Sequence, residues 1–284
     1  MSRNRPLFRD ARPRAGWLRL AALLATVLAA GTGAHAQEDR SVNAIKHYIF
    51  IQPDEGVDLL WVDRWYMTFH APEVRSYYKA WQRHYVSFRS YMVPEEADVF
   101  NVYRGRMTEI IFDSREAYVE SRIRNDYGIS RYTAPTGGWA GRPGQVETIN
   151  ATIPVNPDED FLGKWPPPKA SPYYRWIVAF RYPEGVSEED GERWFLESAA
   201  PSLAKVKGLR RFVAYKVIFD SQPYRRVYEM WFDHYSDWKA AVLDNRGAIP
   251  APPWGGAFPY VDMVSTFIGE RPDIDFINDH RVVP

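Results

Sequence analysis

The sequence predicts an α+β protein made of two consecutive units, each with the element order β-α-β-β-α-β, whose sheets pair within one chain. Two observations predict this fold. A set of short motifs occurs twice in the same order, and a proline-rich segment separates the two sets. The expected organisation is an export signal at 1–36, a first unit at 37–155, a linker at 156–172 and a second unit at 173–284.

The first 36 residues have the composition of an export signal. Six arginines accompany an apolar run over residues 20–30, and Ala34-His35-Ala36 places small residues at a cleavage point before Gln37. A run of about eleven apolar residues is too short to span a bilayer. We therefore expect cleavage and a periplasmic or secreted product without stable membrane insertion; the alternative is an uncleaved membrane anchor.

Charge and cysteine content exclude several function classes. The chain holds 36 Lys+Arg and 36 Asp+Glu, and the first 36 residues contain six Arg and one Asp, which leaves 30 against 35 and a net charge of −5. An acidic chain without a basic stripe argues against nucleic acid as a partner. Because the sequence has no Cys, disulfides, thiolate nucleophiles and Cys-ligated metals are excluded.

The internal repeat is the strongest signal in the sequence. Its paired motifs keep their order along the chain: Glu55-Gly56-Val57 with Glu184-Gly185-Val186, Arg64-Trp65-Tyr66-Met67 with Arg193-Trp194-Phe195-Leu196, Ala71-Pro72 with Ala200-Pro201, and Glu109-Ile110-Ile111-Phe112-Asp113 with Glu229-Met230-Trp231-Phe232-Asp233. A conserved order over this distance predicts two copies of one domain.

Each copy predicts the same elements. In the first copy they are a strand from Ile45, a helix over 58–78, strands near Tyr85 and Met107, a helix from Ser114 and a strand from Val146. In the second copy they are a strand over 175–182, a helix from the N-cap Ser187 to about Gly208, strands over 209–218 and 226–232, a helix over 236–245 and a strand over 261–268. This order is ferredoxin-like: two helices cover one face of a four-stranded antiparallel sheet.

The linker contains Trp165-Pro166-Pro167-Pro168. Proline fixes φ and removes a backbone donor, so the segment is expected to be a stiff extended connector rather than a strand.

A family resemblance is carried by both copies. The stretch from Gly185 to Pro201, followed by Gly208-Leu209-Arg210-Arg211-Phe212, resembles the EthD family of dimeric α+β barrel proteins, as does the stretch from Trp65 to Pro72. The resemblance implies that the two units close a barrel within one polypeptide. It also implies a cofactor-independent chemistry, since similar proteins include cyclases, lactone isomerases, monooxygenases and degradative proteins.

The copies differ at one informative position. The family pattern is Trp, four residues, then His-Ala, which the first copy keeps from Trp65 to His70, whereas the second copy has Ala199 in place of the His. His70 is therefore the candidate catalytic residue, a general base among aromatic walls. Trp61, Trp65 and Tyr66 on the same helix are candidate substrate-binding residues. The alternative is a His that caps carbonyl groups or satisfies a buried hydrogen bond.

His84 and Glu109 complete the candidate substrate-binding set. Glu109 and Glu229 occupy the same strand position in the two copies; pointing inward they could orient a His, but the outward, solvated orientation is expected for a charged strand residue. His47, His70 and His84 could in principle gather at a metal or haem iron. Their spacing matches no compact ligand motif, so no metal and no cofactor are predicted.

Two function classes follow. The first is an enzyme that performs proton transfer, isomerisation or C–C chemistry on a small apolar, aromatic or polyketide-like molecule. The second is a non-catalytic periplasmic protein that binds a small hydrophobic ligand, or a structural pseudo-dimer. Both are compatible with a monomer or a homodimer. The sequence contains no nucleophile elbow, phosphate loop, dinucleotide fingerprint or His-Glu-x-x-His motif.

Overall fold

The computed structural model describes residues 43–78, 81–124, 146–164, 173–218 and 223–278. The predicted export signal lies outside these residues. In chain order the principal elements are β1 (Ile45–Pro53), α1 (Leu59–Trp65), α2 (Ala71–Tyr78), β2 (Gln82–Arg89), β3 (Arg106–Phe112), α3 (Arg115–Arg124), β4 (Val146–Pro154), β5 (Glu159–Asp160), β6 (Tyr174–Arg181), α4 (Glu188–Trp194), α5 (Ala200–Leu203), β7 (Arg211–Lys216), β8 (Arg226–Phe232), α6 (Tyr235–Trp238), β9 (Asp262–Gly269) and β10 (Ile274–Asp275). Three π-helical turns extend helices: Tyr66–His70 joins α1 to α2, Phe195–Ala199 joins α4 to α5, and Lys239–Leu243 follows α6.

The strands form two antiparallel sheets with matching topology. The first sheet has the order β10-β2-β3-β1-β4, and the second has the order β5-β7-β8-β6-β9. In each sheet the first strand of its half lies between the third and the fourth, as the β-α-β-β-α-β order requires. The predicted α+β fold class is confirmed by this arrangement.

Each sheet has five strands, so the expected number of four is wrong. The additional edge strands are β5, which pairs with β7, and β10, which pairs with β2. The strand β5 lies within the predicted linker 156–172 and was not expected there, whereas Trp165-Pro166-Pro167-Pro168, on which the predicted extended connector rests, lies outside the described residues. Two-residue strands have no alternation to detect in a sequence; they form here because they cover exposed backbone groups at a sheet edge.

The two sheets pack face to face around an apolar layer contributed by both. This layer contains Tyr48 and Phe50 of β1, Val86 and Phe88 of β2, Ile177 and Ala179 of β6, and Val213 and Tyr215 of β7. Backbone hydrogen bonds join the sheets on both sides, from Tyr103 N to Ser265 O (2.8 Å) and from Ile218 N to Thr152 O (2.8 Å). The sheets therefore pair within the chain as a barrel, as predicted.

Helices cover the outer face of each sheet. The predicted N-cap Ser187 forms, since its side chain accepts from Asp190 N. In the first half the Asp58 side chain caps the corresponding helix by accepting from Leu60 N. Separate cores lie between helices and sheet in the two halves, one including Trp65, Tyr85 and Phe112 and the other including Trp176, Phe212 and Trp238. Among the described residues, no helix combines the length and apolar character needed to cross a membrane.

In each half, a buried arginine forms ion pairs that link the added edge strand to the rest of the sheet. Arg106 of β3 donates to Asp63 of α1 (2.9 Å) and to Asp273 beside β10 (2.6 Å). Arg226, at the corresponding register position of β8, pairs with Glu192 of α4 and with Glu159 of β5. Each guanidinium thus links a sheet, its first helix and its edge strand.

Candidate functional site

The first helix carries His70 at the end of a π-helical turn. This turn, Tyr66–His70, accommodates one residue more than an α-helical turn, and it brings residues five apart onto one face. The ring of His70 consequently stacks on Trp65, with centroids 4.8 Å apart, and lies 5.6 Å from the ring of Tyr66. Trp61 does not follow Trp65 into the core: Trp61 is 38% exposed, whereas Trp65 is 5% exposed.

Burial determines the ionisation of His70. Its side chain is enclosed against the first sheet, with 5% of the residue exposed, and this desolvation lowers its pKa to about 3. The imidazole is therefore neutral at physiological pH in this conformation. A neutral imidazole can donate one hydrogen bond and accept another, and it becomes a stronger base only when a neighbouring negative charge stabilises the imidazolium.

A chain of hydroxyl groups runs along the sheet beneath this helix. The Tyr66 hydroxyl lies 2.6 Å from the Thr108 hydroxyl on β3 and 3.3 Å from the Tyr85 hydroxyl on β2. Burial and the neighbouring Tyr66 raise the pKa of Tyr85 well above its ordinary value, so it stays protonated. The Phe276 ring covers Tyr85 at a centroid distance of 4.6 Å.

His47 adds a second imidazole to the same helix-covered face. Its Nδ1 lies 2.8 Å from the Thr152 hydroxyl of β4, and its ring is 5.4 Å from the Tyr118 ring of α3. His47 is 4% exposed. The helix-covered face of the first sheet therefore holds two buried imidazoles and several hydroxyl groups.

The strand register allows this face to be compared, position by position, with the helix-covered face of the second sheet. The strand pairings of the two sheets correspond residue by residue when Glu109 is matched with Glu229. Seven positions of the first half that carry a hydroxyl or an imidazole are His47, Tyr66, His70, Tyr85, Thr108, Tyr118 and Thr152. The positions that correspond to them in the second half are Trp176, Phe195, Ala199, Phe212, Tyr228, Trp238 and Phe267. Only Tyr228 among the second set bears a polar group outside an indole.

The second half uses these positions for packing. Trp238 packs edge-on against Trp176 at 5.3 Å and against Phe267 at 4.7 Å, and Phe195 stacks on Tyr228 at 6.2 Å. Aromatic pairs at such distances stabilise a core beyond the area they bury. The helix-covered layer of the second half is thus aromatic at these positions, whereas that of the first half holds imidazoles and hydroxyls within an otherwise apolar core.

His84 and Glu109 lie on the opposite face of the first sheet, between the two sheets. Their Nε2 and Oε1 atoms are 3.6 Å apart, and Glu109 is also 4.0 Å from Arg175 of β6. The sheet therefore separates them from His70, and the structure does not bring the whole predicted set together. The same separation keeps His84 away from His47. Among the residues that the structure describes, no group of three or more His, Asp or Glu is arranged to hold a metal ion.

The expected outward orientation of the two matched glutamates is wrong. Glu229 is 2% exposed and lies between the sheets, where its carboxylate accepts from the Tyr48 hydroxyl (2.6 Å), Arg175 (3.0 Å) and the Trp231 indole (3.1 Å). Lys46 lies 3.4 Å away. These partners outweigh desolvation and hold the pKa of Glu229 well below its ordinary value. Neighbouring cations offset the desolvation cost of a carboxylate that points inward. Lys46 and Arg175 occupy matched positions of β1 and β6, and this pair of cations is the sequence feature that could have predicted the inward orientation.

Comparison with known proteins adds little to this geometry. No family model and no curated protein matches the chain. Among solved structures, an anthrone oxidase-like protein aligns with 81% of this chain and 92% of its own at 14% identity and a TM-score of 0.45. A variant of the chlorite dismutase from Candidatus Nitrospira defluvii aligns with 82% of this chain and 94% of its own at 6% identity and a TM-score of 0.44. Likenesses this distant carry no functional argument.

Proposed function

We propose that the chain is an exported EthD-like protein that binds a small apolar or aromatic molecule on the helix-covered face of its first sheet. On this molecule it acts as a cofactor-independent enzyme for proton transfer, isomerisation or C–C chemistry. His70 is the proposed proton acceptor, and Trp65 and Tyr66 are the proposed contacts to the substrate ring. The second half serves as the scaffold that completes the barrel.

The observation that carries this proposal is the asymmetry between the two helix-covered layers. If the two helix-covered layers served only to stabilise the fold, aromatic packing in both would add stability, as it does in the second half. Burying imidazoles and hydroxyls instead costs desolvation energy unless each is hydrogen-bonded. At matched positions the first half instead holds hydroxyls and an imidazole that are hydrogen-bonded to one another, and positioned polar groups in an apolar enclosure are characteristic of ligand sites.

The proposed chemistry follows from the ionisation of the groups. A substrate with an acidic C–H next to a carbonyl would lose its proton to the neutral imidazole of His70. The enolate formed beside the imidazolium raises the pKa of His70 by charge pairing, which offsets the effect of burial. The hydroxyls of Tyr66 and Tyr85 are the groups available to donate to the developing oxyanion. Return of the proton at another carbon completes an isomerisation.

A non-catalytic ligand-binding protein is the second candidate, and the low pKa of His70 favours it. A general base is most effective when its pKa lies near the working pH, and about 3 is far from neutrality. In this alternative the neutral imidazole and the tyrosine hydroxyls serve only to orient a bound ligand through hydrogen bonds.

The test uses 2-tetralone, an aromatic ketone with an acidic C–H, and the mature chain in D2O. Ligand-observed NMR reports binding, and loss of the C1 proton signal reports exchange. The enzyme proposal expects saturable exchange above the buffer rate. Saturable binding without added exchange supports the ligand-binding alternative, and the absence of both contradicts a site for aromatic ketones on this face.

A further inference from the structure

A surface cleft lies in the second half of the molecule, away from the helix-covered face of the first sheet. It opens between the outer side of α4 with its π-turn and the loop around 250–256, and it has a volume of about 460 Å³. This is the size range of sites for small molecules. The side chains that matter for its chemistry are Asp190, Arg193, Trp194, Glu197 and Trp254.

The aromatic wall of this cleft is held rigidly. The Trp194 indole donates to Pro250 O (3.1 Å), and the Trp254 indole donates to Tyr260 O (3.3 Å). The two rings lie 5.2 Å apart at 69°. Because both indole N–H groups are already bonded to the backbone, the rings are fixed in orientation before any ligand arrives, which reduces the entropic cost of binding.

A glycine inside α4, Gly191, leaves room for the aromatic ring that packs behind Trp254. Tyr182 packs 6.2 Å from Trp254, and a Cβ added at Gly191 would lie 2.4 Å from the Tyr182 ring. Glycine is unfavourable within a helix by about 1 kcal/mol relative to alanine. Here it permits the close approach of Tyr182, whose ring lies edge-on to Trp254.

The charged groups of the cleft leave an excess of negative charge. Arg193 is neutralised by Asp190 at 3.1 Å and by Glu189 at 2.7 Å. Glu197 is exposed on the same side of the helix, and among the described residues it has no ion pair and no side-chain hydrogen bond. The cleft therefore combines two preorganised indoles with one carboxylate that lacks a counter-charge.

We propose that this cleft binds a small organic ammonium cation, with the cationic group against the indoles of Trp194 and Trp254 and with Glu197 as its counter-ion. Tryptophan is the strongest cation–π partner among the side chains, and a pair of indoles is suited to a bulky, weakly hydrated cation. A bare divalent metal ion fits poorly, because it requires several oxygen ligands. This inference is independent of the function proposed for the first half.

The test compares choline with 3,3-dimethyl-1-butanol, which has the same shape but no charge, by isothermal titration calorimetry on the mature chain. We expect choline to bind about tenfold more tightly or better, since charge supplies both the cation–π and the carboxylate interaction. Trp254→Leu should weaken choline binding at least about tenfold. Glu197→Gln should reduce the preference for choline over the alcohol.

Glu55→Gln is the matched control, because it removes one exposed carboxylate from the first half. It should leave choline binding unchanged, and thermal melts of all variants should show that each is folded. Equal affinity for the cation and the alcohol, no binding of either, or insensitivity to both cleft variants would overturn the proposal.

Discussion

Trp65 and His70 stack with their ring centroids 4.8 Å apart, although they are five positions apart in the chain. The π-helical turn produces this contact, because an α-helix would place residues three or four apart on one face. The second half has the same turn at Phe195–Ala199, with Ala199 in the place of His70. The turn therefore belongs to the fold of both halves, and only the first half uses it to place an imidazole against an indole.

The first prediction concerns His70→Ala. If His70 accepts the proton, this substitution should lower the exchange rate of 2-tetralone by about 10² to 10⁴ while the chain remains folded. Ala199→Ser, at the corresponding position of the second half, should leave the rate unchanged. Unaltered exchange together with a lowered melting temperature would instead assign His70 a purely structural role, with a loss of about 1 kcal/mol or more from an unsatisfied partner.

The second prediction concerns the pH dependence of stability that His70 confers. Its pKa is about 3 in the folded chain and about 6.5 when unfolded, so between these values the unfolded chain binds more protons. Stability from the neutral, buried imidazole is thus complete above pH 6.5 and is lost as the pH falls toward 3. The contribution to the slope approaches about 1.4 kcal/mol per pH unit.

Urea unfolding of the wild type and of His70→Gln at several pH values between 7 and 4 measures this contribution. The difference in unfolding free energy between the two proteins should change with pH in the stated direction. A difference that is constant over this range would show that His70 is not held neutral in the folded chain.

The sequence predicts the backbone of this molecule better than its interior chemistry. The predicted strand 226–232 coincides with β8, and the predicted helix starts coincide with the Asp58 and Ser187 caps, because periodicity and capping are local signals. Tyr66 was identified with His70 for the same reason, since both lie on one helix. These features depend on residues close together in the chain.

The missed features depend on contacts between distant segments. Tyr85, Thr108 and His47 reach the face beneath His70 from three different strands, and no spacing in the sequence relates them. The inward position of Glu229 likewise depends on Lys46, 183 residues away. The general tendency of charged residues to face solvent gave the opposite expectation for this carboxylate.

The third prediction concerns export, for which residues 1–36 are the only basis. Expression of the full chain in a Gram-negative host should give a periplasmic product that begins at or near Gln37, as determined by N-terminal sequencing. Replacing Ala34 and Ala36 by Arg should leave the precursor uncleaved. Recovery of the unmodified chain in the membrane fraction with an intact N-terminus would contradict the predicted cleavage.

The fourth prediction concerns Glu229, the carboxylate between the sheets that pairs with both Arg175 and Lys46. Glu229→Gln preserves its shape but leaves Arg175 and Lys46 without their buried counter-charge. Removing one partner from a buried ion pair typically costs about 3–5 kcal/mol, because the remaining charge stays desolvated. We therefore expect a loss of this size in the unfolding free energy, measured by urea denaturation at pH 7.

Glu109→Gln provides the matched control for this substitution. Glu109 occupies the corresponding register position on β3, but its side chain is 13% exposed and lies 4.0 Å from Arg175, against 3.0 Å for Glu229. Solvent screens the more exposed carboxylate, so its replacement should cost less, on the order of 1 kcal/mol.

The pH dependence of the unfolding free energy provides a second test of Glu229. The pKa of Glu229 is depressed in the folded chain, so its contribution is complete above its unfolded value near 4.3 and declines as the pH falls below that value. The stability gap between the wild type and Glu229→Gln should consequently narrow at acidic pH. The prediction would be contradicted if the two substitutions lowered the unfolding free energy equally. It would also be contradicted if the difference between the wild type and Glu229→Gln did not change with pH.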